Sequence, residues 1–108
     1  MSDSSFMERF NELKDSLRSV LDELQPIKQD AEEIAAFATA RGSMLDGTPE
    51  VARRTIMKLD TIISTAREHA KVLSGIPELS GLSTEIADTA DSIRTTYVEL
   101  LEKHGHSL

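Results

Sequence analysis

The side chains capable of chemistry in this chain are three histidines and nineteen carboxylates, with no cysteine among them. His104 and His106 flank Gly105 near the C-terminus, within reach of Glu99 and Glu102. A metal site needs ligands held on a rigid frame, and two histidines astride a glycine at a fraying end do not supply one. A di-iron carboxylate bundle requires Glu-x-x-His on two helices, and no such pair occurs. His69 stands beside the apolar positions Ala66, Ala70 and Leu73, the setting of a partly buried structural histidine. Without a thiol, and with histidines so placed, neither a Cys/His nor a Ser/His/Asp nucleophile system is expected. The five glycines all sit at helix ends or turns, so no phosphate-cradling loop is present. No catalytic residue, cofactor or metal is therefore expected, and the chain reads as non-enzymatic.

Charge narrows the partners. The net charge is −7, with 19 acidic against 12 basic residues. Such a surface repels phosphate backbones, so direct nucleic-acid binding is not expected. Residues 1–41 and 76–108 each carry −4, whereas residues 42–75 carry +1. Arg53, Arg54, Lys58, Arg67 and Lys71 make the middle segment the basic one, suited to lying between acidic neighbours. Glu85, Asp88 and Asp91 form an acidic face near the start of the third segment, where a helix dipole favours it. No stretch approaches the roughly 18 apolar residues of a bilayer span, and the polar start, MSDSSFMERF, lacks a signal-peptide pattern. A cytoplasmic location, with no membrane association, is the expectation.

These groups must be positioned by helices. Glycine and proline divide the 108 residues, one domain's worth, into three helical segments of about 5–41, 49–74 and 78–104. Ser5 with Glu8 forms a capping-box pattern, Arg41-Gly42 a stop, and Thr48-Pro49-Glu50 a start. Ser74-Gly75 closes the second helix; the third starts at Pro77 or, after the Ser80-Gly81 interruption, with Ser83 as its cap. Pro26 lies within the first segment, but the apolar phase passes through it, which predicts one long, kinked helix.

The apolar spacing predicts how the helices pair. In the first helix Phe6, Phe10, Leu13, Leu17, Val20, Leu24, Ile27, Ala31, Ile34 and Ala38 alternate steps of four and three, a heptad seam. The second repeats it with Ala52, Ile56, Leu59, Ile63, Ala66, Ala70 and Leu73. Reflection about residue 45 pairs the two seams directly, from Ala38 with Ala52 to Leu17 with Leu73. The third seam, Leu79, Leu82, Ile86, Thr89, Ile93, Thr96 and Leu100, falls opposite the second, with Ala90 and Tyr97 widening it towards the first helix. The fold class predicted is all-α: an antiparallel up-down-up three-helix bundle with coiled-coil-like packing.

Two surfaces remain. The first helix outruns its partner, leaving Phe6, Met7, Phe10 and Leu13 as an apolar overhang that either closes the bundle end on Ile76, Leu79 and Leu82 or receives another protein. Leu21, Ala35 and Phe37 add an apolar stripe broader than one partner needs. The expected function is a protein–protein interaction module (a helical adaptor, assembly chaperone or structural subunit) acting through self-association or docking on a partner. The competing expectation is an acidic inhibitor of a basic nucleic-acid-binding surface, presenting Glu32, Glu33, Glu85, Asp88 and Asp91.

Overall fold

The computed structural model describes the backbone of residues 2–107 and the side chains of residues 5–107. It consists of α1 (Ser2–Arg41), α2 (Thr48–Val72) and α3 (Pro77–Lys103), with no strand among the described residues. It is an up-down-up bundle. The long axis, 61 Å, matches the roughly 60 Å of a 40-residue helix.

Local chemistry sets the ends. Gly42 at φ +82° and Gly47 at φ +86° take the left-handed conformation that closes α1 and opens α2 at little steric cost. Pro49 and Pro77 occupy first-turn positions, where a missing N–H is harmless. Thr48 is not the cap of α2; that position belongs to Gly47, without a side-chain hydrogen bond. Ser5 likewise lies inside α1, which begins at Ser2, so the capping box is not formed there. Gly81 does not interrupt α3, so Ser83 is an interior residue and not a cap. α1 runs unbroken through Pro26. Both Pro26 and Asp22, whose carbonyl loses its usual donor, are exposed, so water can satisfy the freed group.

The pairing of the helices corrects the sequence expectation. α3 is the central element: α2 packs on it extensively, α1 packs on it less, and no described Cα of α1 comes within 8 Å of one in α2. Coiled-coil neighbours have axes only about 8–10 Å apart, so α1 and α2 are not the directly apposed hairpin that the reflected seams predicted. Lys14 Nζ lies 2.6 Å from Glu78 Oε1, and Lys103 Nζ donates to Thr39 Oγ1 at 3.4 Å. Both pairs are 64 residues apart, which sets α1 parallel to α3 at one offset. Between α2 and α3, Arg94 Nε meets Asp60 Oδ1 at 2.5 Å and Ser80 Oγ donates to the Ala70 carbonyl at 3.2 Å. That agrees with the expected α2–α3 register to within two residues.

The faces used are rotated from those predicted. On α1, the buried line is Leu17, Leu24, Ala31 and Ala38, with half-buried Phe10, Lys14, Leu21, Lys28 and Ala35 beside it. The other half of the expected seam, Val20, Ile27 and Ile34, is only half-buried, and Leu13 is exposed. On α3, Ser80 and Arg94 reach α2, so helical periodicity puts Ser83, Ala87, Ala90 and Leu101 on that flank, and all four are buried. Leu82, Thr89 and Thr96, expected opposite α2, are half-buried on the flank that Glu78 and Lys103 extend towards α1. The reason is steric and polar together. Small residues on α3 facing Ala52 and Ala66 let α2 approach closely, while the threonines suit a wetter position. Between the flanks, Leu79, Ile86, Ile93, Tyr97 and Leu100 form the middle of the core. Ser83 Oγ is fully buried and finds no hydrogen-bond partner among the described residues.

Candidate interaction surfaces

The N-terminal overhang follows from the α1–α3 offset. Since Lys14 is level with Glu78, Leu13 is level with Pro77, the first residue of α3. α1 residues 2–12 therefore run about 16 Å past the start of α3, first along the α2–α3 connection. Phe10 is half-buried and shares a shallow hollow with Leu73, Ile76 and Leu79. Phe6 stacks on Phe10 with ring centroids 6.3 Å apart, and Lys14 Nζ lies 5.9 Å from the Phe10 centroid. The overhang thus divides into a packed part and an exposed part. Phe10 closes the bundle end, whereas Phe6 and Met7 stay 55% and 51% exposed. Leu13 lies at the border of the overhang and is exposed as well.

A second surface was not anticipated. Because α1 and α2 are held apart across α3, a row of three hollows opens between them, together a cleft. At one end it is lined by Leu13, Leu17 and Val20 of α1 against Ile62, Thr65 and His69 of α2, with Ile86 of α3 at its base. Midway, Ile27, Asp30 and Ile34 face Val51, Thr55, Lys58 and Ile62, with Tyr97 below. At the far end Phe37 joins Met44 and Leu45 of the α1–α2 connection. The levels of the reflected seams hold through α3: its offset of 64 from α1, with the pairs Asp60–Arg94 and Ala70–Ser80, puts α1 and α2 within about one turn of the expected register. The levels were right and the direct apposition was not. The signal available in the sequence was the doubling of apolar residues on α2, Ile62 beside Ile63 and Val51 beside Ala52, which a single partner does not require.

Electrostatics differ along this cleft. The end near His69 carries hydroxyls and no carboxylate, while the middle has Asp30 and Glu33 on the α1 lip and Lys58 on the α2 lip. Burial raises the Tyr97 phenol above its ordinary ionisation range, and the nearby Asp30 carboxylate adds to the shift. His69 is exposed at the lip rather than partly buried against the core.

The remaining residues singled out by sequence are dispersed. Glu33 opens into the cleft, whereas Glu32 shares another surface of α1 with Gln25, Lys28 and Gln29. Glu85, Asp88 and Asp91 are exposed on α3, and Asp88 lies about 200° around the helix from the cleft-lining Ile86. The five carboxylates do not share one face. His104 is half-buried, its Nε2 without a hydrogen-bond partner among the described residues, and Arg53 Nε donates to the Ser107 carbonyl at 2.8 Å, tying the C-terminal segment to α2. Among the described residues no three His, Asp or Glu side chains converge as a metal-binding group, and no helix is long and apolar enough to cross a membrane. Comparison with known family models, with curated proteins and with solved structures finds no match to this chain.

Proposed function

We propose that this chain is a non-enzymatic protein–protein interaction module that docks on a partner, or on a second copy of itself, through the N-terminal overhang of α1. The observation that carries this reading is the exposure of Phe6 and Met7 on a helix that outruns the body. Ordering an exposed helical extension gains little unless its apolar side chains are covered by something. Phe10 and Leu13 extend the same patch towards the bundle, giving it a rigid base. The acidic-inhibitor reading draws less support, because Glu32, Glu33, Glu85, Asp88 and Asp91 are spread over different flanks.

The test is molar mass by light scattering across a hundredfold concentration range, for the natural chain and for Phe6→Ser with Met7→Ser. Both residues are exposed, so the double variant should keep its helicity. The expected outcome for self-association is a concentration-dependent oligomer that the double variant shifts to monomer. A monomer throughout directs the search to a different protein; capture of that protein should then fail with the double variant. Assembly and capture both indifferent to Phe6 and Met7 would overturn the proposal.

A further inference from the structure

The α1/α2 cleft is apolar, long and unoccupied by any element of the described chain. Its three hollows succeed one another along α1 from Leu13 to Phe37, a span of about 36 Å, the length of a helix of some 24 residues. Its α1 wall presents Leu13, Val20, Ile27 and Ile34 at seven-residue intervals, the spacing that a helix laid alongside would meet at every second turn. α1 and α2 both pack on α3 and not on one another, which leaves the space between them open to a further helix. A helix placed there touches both walls at once.

Charge identifies the kind of helix. The lip formed by α1 carries Asp30 and Glu33, with Glu23 exposed one heptad before Asp30, against Lys58 alone among the charged lining residues of the α2 lip, so the mouth is net acidic. A second copy is a poor occupant, because its longest unpaired apolar stripe is that same α1 face, which arrives with its own Glu23, Asp30 and Glu33. The chain as a whole is also at −7. We infer that the cleft receives one amphipathic helix of a different protein, its apolar stripe between α1 and α2 and its basic side chains along the flank that meets Asp30 and Glu33. This rests on the reading of the chain as an interaction module but uses another surface than the overhang. Helix-in-groove docking of this type draws affinity from the apolar stripe and selectivity from the flanking charges.

The experiment uses the full chain and two synthetic 24-residue helical peptides lacking Tyr and Trp. Both have leucine at heptad core positions; one carries lysine, the other glutamate, along one flank. Tyr97 is the only tyrosine, there is no tryptophan, and it lies under the cleft. Its fluorescence therefore reports occupancy directly, and light scattering gives the mass of the complex. The lysine peptide should bind at least tenfold tighter than the glutamate peptide at low salt. Asp30→Lys with Glu33→Lys, both exposed positions, should reverse that preference. Ile27→Ser with Ile62→Ser should weaken lysine-peptide binding at least tenfold, whereas Met57→Ser, 70% exposed and outside the cleft, should leave it unchanged. Circular dichroism of each variant separates lost binding from lost folding. Equal binding of the two peptides, or indifference to the charge reversal, overturns the inference. So does loss of binding in Phe6→Ser with Met7→Ser alone, which would move the site to the overhang and leave the proposed function standing. Self-association abolished by Ile27→Ser with Ile62→Ser would make the occupant a second copy and would equally overturn it.

Discussion

α1 and α2 carry nearly the same apolar pattern, yet the fold uses them differently. Most of the seam of α2 is consumed by packing: Ala52, Ile56, Leu59, Ile63 and Ala66 are buried, and Ala70 and Leu73 at its end are half-buried. The seam of α1 is split lengthwise, with Leu17, Leu24, Ala31 and Ala38 buried while Val20, Ile27 and Ile34 stay half-open to the cleft. A heptad repeat thus says that a stripe is apolar; it does not say how many helices share it. On α2 one close neighbour takes most of the stripe. On α1 one neighbour takes half, and the residue types left over are those available for recognition.

The strongest way to break this contrast is to truncate one residue of each kind. Leu59→Ala, at a fully buried position against α3, should lower unfolding stability by about 3 kcal/mol. Ile27→Ala, on the cleft wall, should cost less than about 1.5 kcal/mol, because its surroundings already admit water. Equal losses in urea denaturation would mean that the cleft wall is as much core as the α2–α3 interface.

Enlarging a small residue sharpens the same contrast from the other side. Ala90 is wholly buried on the flank of α3 that meets α2, whereas Ala35 is half-buried on α1. Ala90→Leu should destabilise by about 2 kcal/mol through overpacking, and Ala35→Leu by less than about 1 kcal/mol. If thermal denaturation finds both tolerated alike, the close approach of α2 does not depend on small residues.

The smallest effect is confined to high pH. The Tyr97 phenol ionises at a higher pH in the fold than in the unfolded chain, where its ordinary value is near 10. Above that value the folded chain retains a proton that the unfolded chain has lost, so unfolding is favoured as pH rises. The stability involved is complete below pH 10 and disappears as pH climbs through the folded-state value. The melting temperature should fall across that range, and Tyr97→Phe should fall less steeply. Absorbance titration of this single tyrosine gives the folded-state ionisation, and Asp30→Asn should move it down.

Most of the architecture was legible in the sequence, because it depends on local chemistry. Gly42 marks the end of α1, Pro49 and Pro77 the starts that follow, and the heptad phase carried α1 through Pro26. The overhang was legible too, since it follows from the unequal lengths of the helices. The cleft was not. Its walls are built from Ile27 and Ile34 on one helix and Val51 and Ile62 on another, and their relation depends on where a third helix puts them.

What the sequence determined by itself is therefore the number, extent and direction of the helices, and the levels at which their residues stand. Periodicity and capping are properties of a few consecutive residues, so one chain suffices to read them. The tertiary structure alone decided which helix is central and which flank each presents. A rotation of one residue about the helix axis, from Leu82 to Ser83 or from Leu13 to Lys14, leaves the repeat length unchanged while exchanging one neighbour for another. That choice is made by the fit of Ser83, Ala87 and Ala90 to α2, which depends on contacts between residues far apart in the chain.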